Sequence, residues 1–400
     1  MPDPHRRAFR LLFLCLVCTG VGQAMLFAIL PPAARQIGLS ELQVSIIFAT
    51  SATLWVFLSP LWGRWSDVVG RRLVILIGLL GFALSMVLLA TTIGLALRGW
   101  LPALLIWPLM IASRSVFALL GSGTAPAAQA YVADRTSAAE RTAGVALVTA
   151  SFGLGQTLGP AFGAALSGFG LLTPIYVSAA LAVLSGAVVW GLLPEGERSR
   201  PEPVPRESRL RFHDPRIRPF LMIGASMQAV RSTTAITLAF FLQDTLALSP
   251  TETGQLAGVG FMALAASGLL VQLVAVQRLR PGPSAMIHVG LPLALGSFLL
   301  FALEPSFAVD LVALGLLGAG LGLVRPGNAS AASLAVGPEE QGAVAGVTGS
   351  IAVIGNIVGP VVGTALYRLT PRAPFLMNAG VMVVALALSL LHPRLRRVRA

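Results

Sequence analysis

The residues of this chain best placed to do chemistry are arginines and amides that stand where a lipid-facing run should carry only apolar side chains. Gln23, Arg114, Gln228, Arg231, Arg325 and Asn328 all fall inside long apolar stretches. A guanidinium carries five N–H donors and keeps its charge at any ordinary pH. At the middle of a bilayer it costs about 2.5–3.5 kcal/mol on insertion scales, so it must face protein, water or an anion. Arg114 lies roughly 12 residues, or ~18 Å, into its run, near mid-bilayer. Arg231 reaches a similar depth from the other side. Arg325 sits nearer an end and can extend its head toward water. Two uses stay open for these arginines: holding a substrate group, or bonding backbone carbonyls at a helix kink. The sixteen acidic residues all fall in loops or near the ends of apolar runs. Asp67, Asp244 and Asp310 are the nearest candidates for carrying a proton. Positive groups at that depth, with no carboxylate beside them in the apolar runs, favour an anionic or neutral amphipathic partner.

Other chemistries lack their residues. The 28 basic residues are all arginine, with no lysine in the sequence. A phosphate-binding P-loop and a Schiff base both need a lysine. There is no HExxH, no GxSxG and no buried acid pair, so an embedded enzyme is not expected. The histidines, His5, His213, His288 and His392, are scattered and gather no metal set. Cys15 and Cys18 have CxxC spacing but lie in "LLFLCLVCTG", an apolar run rather than a soluble redox fold. No cofactor is expected.

Two further patterns concern motion. "GRWSDVVGRR", Gly63 to Arg72, packs one carboxylate, three arginines and two glycines between two apolar runs. Gly63 and Gly70 permit tight turns. Asp67 can meet the positive end of a neighbouring helix, and Arg71 and Arg72 can pair with carboxylates or lipid phosphates. The cluster can latch one face of the protein, or simply hold its loop on one side. The second pattern is GxxxGPxxG. Gly155, Gly159 and Gly163, and again Gly355, Gly359 and Gly363, recur every four residues on one helix face. Such faces admit close helix approach in lipid. Pro160 and Pro360 remove backbone hydrogen bonds and favour bending.

These groups must be carried by membrane helices. The chain has 400 residues, 56% hydrophobic and 11% charged, against about a quarter charged in soluble domains. Apolar runs of spanning length recur throughout. Twelve spans are expected, beginning near Ala8, Leu42, Leu73, Pro102, Ala143, Leu171, Pro219, Thr253, Ser284, Phe307, Gly342 and Pro374. The first run continues through "MLFAILPP", so it is expected to remain as a span rather than act as a cleaved leader. The one long polar stretch, residues 194–218, suits a solvated linker between a six-span body at 1–193 and another at 219–400.

Arginine placement fixes the expected orientation. With the N-terminus inside, the inner loops and ends hold Arg6, Arg7, Arg10, Arg64, Arg71, Arg72, Arg135, Arg141, the seven from Arg198 to Arg218, Arg278, Arg280 and the four from Arg394 to Arg399. The outer loops hold only Arg35, Arg98, Arg368 and Arg372. This bias puts both termini in the cytoplasm. It also accounts for the net charge of +12 without a nucleic-acid partner. The halves are related: "GQTLGPAFGAAL" at Gly155 returns as "GNIVGPVVGTAL" at Gly355, and Pro126 with Pro326 and Glu140 with Glu340 keep the same 200-residue offset. Internal duplication of this kind is a habit of secondary transporters.

With these features the chain resembles the major facilitator superfamily over nearly its whole length. Gly63, Asp67, Gly70, Arg71 and Arg72 match the family's loop motif between spans 2 and 3, with Trp65 and Val68 departing from it. The motif's second-half counterpart is a remnant, "QRLRPGP", with no aspartate. The segment at Gly155 resembles the span 5 motif of drug/proton antiporters, and Arg114 resembles the span 4 arginine of the family's exporters. The resemblance implies an all-α membrane protein of twelve helices in two pseudo-symmetric six-helix bundles. It implies that spans 1, 4, 7 and 10 line a cavity with Gln23, Arg114, Gln228, Arg231, Arg325 and Asn328, and that the Asp67 motif gates it. It further implies alternating access, proton-coupled efflux of a small molecule, a bacterial-type inner membrane location and a monomer. Import or facilitated movement of an organic anion is the alternative; a non-transporting sensor is a remote one.

Overall fold

A computed structural model describes residues 4–136, 138–194, 213–303, 306–337 and 340–396. Glu304, Glu339 and most of the linker fall outside the described residues, as do the side chains of Glu140 and Arg141. Twelve helical spans follow one another: α1 Pro4–Gln36, α2 Glu41–Val69, α3 Arg71–Leu97, α4 Ala103–Ala133, α5 Ala138–Ser167, α6 Thr173–Leu192, α7 Arg218–Thr245, α8 Pro250–Leu279, α9 Pro283–Leu300, α10 Phe307–Leu334, α11 Gln341–Tyr367 and α12 Ala373–Leu391. A short helix α13, Pro393–Arg396, ends the described chain. Every start lies within five residues of the expected one, the widest gap being Ala138 against Ala143. Among the described residues, ten spans qualify for a membrane by length and apolar content alone. α5 and α7 do not, and α7 carries Gln228, Arg231, Ser232, Thr233, Thr234 and Thr237.

The polar residues of α7 are tolerated because the helix satisfies them. Thr234 and Thr237 donate to the carbonyls of Val230 and Thr233, one turn back. Ser232 and Thr233 donate across to the carbonyls of Gly355 and Gly359 on α11, at 2.7 and 2.9 Å. Local signals set several ends. Ser40 and Gln43 form a reciprocal capping box at the start of α2. Gly38, at φ +79°, makes the turn before it, and Arg35 pairs with Glu41 across that turn. α4 is interrupted at Ser122–Gly123, and α8 contains a π turn at Gln272–Val276.

The chain forms two compact units. Unit 1 comprises Met1–Glu202 with Ser249–Gly258; unit 2 comprises Pro203–Leu248 with Val259–Ala400. Within unit 1, α1 packs along α5, α3 against α4 and α6, and α2 against α4. Within unit 2, α7 packs along α11, and α9 against α10 and α12. The Ser249–Gly258 turn of α8 joins unit 1 because Gly258, lacking a side chain, admits the Pro160 carbonyl oxygen and Ala164 of α5. Large apolar side chains such as Phe57, Leu104, Trp190, Leu270 and Val384 stand exposed. An apolar exterior of that extent matches lipid rather than water. The protein is a multi-pass membrane protein.

The stretch Gly63–Arg72, expected as a loop, is helical except for Gly70. Gly63 does not turn the chain; it lies inside α2. Gly70 alone makes the turn, at φ +106°, a conformation that a side chain would strain. The Ser66 hydroxyl bonds back to the Gly63 carbonyl at 2.6 Å within the last turns of α2.

Candidate binding and gating clusters

In unit 1 the deepest charge is Arg114. It is buried, with 3% of its surface exposed. One hydrogen bond holds it: Nη2 donates to Gln23 Oε1 on α1 at 3.1 Å. Its Nε and Nη1 have no partner. Aromatic faces surround it, with the guanidinium 5.9 Å from the Phe48 ring centre and 5.4 Å from that of Phe117. Phe27 stacks on Phe48, and Trp55 and Phe82 both contact Phe117. Ring faces attract a cation but do not neutralise it. No described carboxylate pairs with Arg114. It is therefore a fixed positive centre in apolar surroundings, suited to stabilise a negative group brought beside it.

Unit 2 has its own positive centre. Arg231 on α7 donates from Nε to Gln228 Oε1 at 3.4 Å and from Nη2 to Asn356 Oδ1 at 3.1 Å. Gln228 Nε2 donates to the same Asn356 oxygen at 2.5 Å. Asn356 did not figure among the expected site residues. Its signal was present, because it occupies in the second GxxxGP repeat the place that Gln156 holds in the first. Arg325, on α10, is exposed and has no hydrogen bond to this group. Asn328 does not join this group. It is buried, and its amide donates to the Phe220 carbonyl on α7 at 3.0 Å, which ties α10 to α7.

The glycine faces set the two helix pairs in register. A Cβ on Gly155 would collide with the Val17 carbonyl oxygen of α1 and stand 2.9 Å from Val21 N. One on Gly159 would lie 2.5 Å from Val21 O. In unit 2 the matching neighbours of Gly355 and Gly359 are Ala229 N at 3.2 Å and Ala229 O at 2.7 Å. Gly163 meets Met25, and Gly363 meets Thr233. So α1 and α7 correspond at an offset of 208 residues (229 less 21, 233 less 25), while α5 and α11 keep 200. By this register Gln23 and Arg231 occupy equivalent positions.

Charged clusters also gather at the arginine-rich helix ends. Arg71 pairs with Asp67 at the end of α2 and reaches Asp134 at the end of α4 with Nε at 3.3 Å. Its Nη1 also donates to the Ser66 hydroxyl at 2.5 Å. The motif thus ties the ends of α2, α3 and α4 within unit 1. Arg72 turns elsewhere than to a carboxylate: it donates to the Trp190 carbonyl of α6 and lies 4.9 Å over that ring. In unit 2, Arg216 grips Glu340 with both terminal nitrogens at 2.8 Å and also bonds Asp214. This pins the starts of α7 and α11 together. Hydrogen bonding from Arg216 holds both carboxyls below their ordinary range, and the same bonds hold the guanidinium's proton more firmly.

Carboxyls held low stabilise the fold above their ordinary range near pH 4, and that contribution is lost as pH falls through the depressed values. Arg216→Ala is therefore expected to lower the melting temperature modestly at pH 7, with the gap to wild type closing as the buffer is taken below about pH 4. A gap that is constant over that range would show the pair to be without electrostatic effect. Among the described residues no three His, Cys, Asp or Glu side chains gather as a metal set. Cys15 and Cys18 are both free thiols in α1.

Comparison with known proteins agrees with this architecture. The chain is similar to multidrug resistance protein 2 of Bacillus subtilis (strain 168), 26% identical over 381 residues, covering 92% of this chain and 91% of that one. It is similar to the class C tetracycline resistance protein of Escherichia coli, 28% identical over 399 residues, covering 94% and 93%. Among solved structures, a bacterial homologue of the human lysosomal transporter Spinster, in an inward-facing and occupied conformation, superimposes with a TM-score of 0.75 at 16% identity, covering 100% of this chain and 98% of that one. These relatives are transporters, not enzymes. The family model described as Major Facilitator Superfamily matches residues 12–356 and 293–399, and with twelve spans, a duplicated GxxxGP helix and the Asp67–Arg71 motif in place, the chain belongs to that superfamily.

Proposed function

We propose that this transporter works by alternating access and exports a small amphipathic molecule, anionic or neutral, in exchange for protons. The observation that carries the substrate class is Arg114: a buried guanidinium bonded to one amide, with two nitrogens unpartnered. An exporter of cations has use for a buried negative charge at that depth. Here both units instead present arginine held by amides. Efflux is favoured by the multidrug and tetracycline resistance relatives, which match over nine-tenths of this chain. On this reading the arginine-rich ends face the cytoplasm of a bacterial-type inner membrane, and the Asp67–Arg71–Asp134 cluster steadies the inner gate. Asp67, Asp244 and Asp310 are the proton carriers proposed for test. Asp310 is buried in the first turn of α10 with one carboxyl oxygen unpartnered.

The deciding measurement is uptake into everted membrane vesicles with and without an imposed pH gradient, using anionic, neutral and cationic dyes. Gradient-driven accumulation of the anionic or neutral dye is expected. Accumulation of the cationic dye alone would refute the substrate class. Uptake only in right-side-out vesicles would reverse the direction and favour import.

A further inference from the structure

We propose that Asn356 is the positioning residue of an anion subsite in unit 2, where it turns the guanidinium of Arg231 toward a carboxylate or sulfonate of the substrate without neutralising it. This rests on the anionic reading above and assigns it a second locus and a new residue.

Donor counting carries the argument. Arg231 has five N–H groups. One, on Nε, is taken by Gln228 Oε1, and one on Nη2 by Asn356 Oδ1. Three remain: both on Nη1 and the second on Nη2. The last of these and one of the Nη1 pair form the end-on edge that a carboxylate binds with two parallel hydrogen bonds. Asn356 Oδ1 has two lone pairs, and Arg231 and Gln228 fill both, at 3.1 and 2.5 Å. The three side chains therefore close a ring of hydrogen bonds, Arg231 to Gln228, Gln228 to Asn356, Arg231 to Asn356. That ring fixes the guanidinium plane and leaves its end-on edge free.

The residue type matters as much as the position. Aspartate has nearly the shape of asparagine and would accept the same two bonds more strongly. It would also supply a full countercharge and end any demand for an anion. Asparagine gives the alignment and withholds the charge. The backbone explains how the reach is made. Gly355 lets α11 approach until a Cβ there would stand 3.0 Å from Gln228 Cβ and Cγ, which brings the next residue, Asn356, alongside α7.

The test is equilibrium binding to the purified full-length protein in lipid nanodiscs, with 2-naphthoate and its neutral methyl ester as probes. Binding is read without flux, so a failure of the export reading leaves this result standing. Wild type is expected to prefer the naphthoate. Asn356→Asp is expected to weaken naphthoate binding at least tenfold and to change ester binding less than twofold. Asn356→Gln, which keeps the acceptor and adds no charge, is expected to keep the preference. Should the aspartate variant not purify as a folded protein, Gln228→Glu places a carboxylate on the Nε edge of the same guanidinium and is read in the same way. Equal affinity of wild type for the two probes would overturn the proposal. So would an equal loss of both probes in the variant, which is the mark of a merely structural role.

Discussion

Arg114→Ala is expected to lower transport by about 30-fold or more while leaving the amount of folded protein within about twofold of wild type. Truncating one partner of a buried charged contact costs about 2–5 kcal/mol, which sets the size of the flux effect. The folded yield behaves differently because two terms oppose each other. A guanidinium at this depth costs about 2.5–3.5 kcal/mol on insertion, and Arg114 recovers little of it, having one hydrogen bond and two bare nitrogens. Removing it leaves a cavity beside Phe48 and Phe117 and orphans the Gln23 carbonyl, a loss of about 1–3 kcal/mol for the amide. Relief and loss are of similar size. Arg114→Lys should fall between, since an ammonium keeps the charge but not the planar fork. The measurement is flux in vesicles, normalised to folded protein by size-exclusion fluorescence. Normal flux in the alanine variant would remove Arg114 from any binding role.

The second large effect concerns backbone contact. Gly155→Ala is expected to be strongly destabilising, whereas Gly153→Ala, two residues earlier in the same helix, is expected to be neutral or mildly stabilising. A methyl on Gly155 meets the Val17 carbonyl oxygen, Gly20 Cα and Val21 N, all backbone atoms of α1 that no rotamer change can clear. Overpacking commonly costs about 1–3 kcal/mol, and here relief requires the helices to part. A methyl on Gly153 meets nothing within 4 Å. Its substitution removes only glycine's helix penalty, up to ~1 kcal/mol. Thermal melting in detergent with added lipid compares the pair. Equal melting temperatures would mean that α1 and α5 do not pack through this face. The matching change in unit 2, Gly355→Ala, places its methyl 3.0 Å from Gln228 Cβ and Cγ and 3.2 Å from Ala229 N, looser than the backbone contacts at Gly155, so it should be milder for stability and should also act through the Arg231 cluster.

The two units carry the same helix-pairing device with different chemistry. The α1–α5 contact is bare, with glycine against backbone. The α7–α11 contact adds hydrogen bonds from Ser232 and Thr233 to glycine carbonyls. In lipid such bonds add modestly to association, since no hydrophobic term drives helices together there.

Much of this protein is written in local, one-dimensional signals. The apolar runs gave twelve spans, each start within five residues, because crossing hydrocarbon imposes a length and a composition that any helix must meet alone. The 200-residue repeat was equally legible, since it is a match of residue types at one fixed offset. Partnership was not. Gln23 and Arg114 lie 91 residues apart, and Arg231 and Asn356 125 apart. What joins them is the rotation and register of packed helices. The 208-residue correspondence of α1 with α7 is invisible to a search at a single offset, and only the glycine contacts reveal it. Gly63 and Gly70 make the same point at short range. Sequence marks both as able to turn, but the helix continues through Gly63, and only at Gly70 does the backbone adopt a positive φ. The sequence by itself determined which stretches are long and apolar enough to be membrane helices; the tertiary structure decided which of their polar residues meet, because contact between helices depends on packing geometry that no single helix contains.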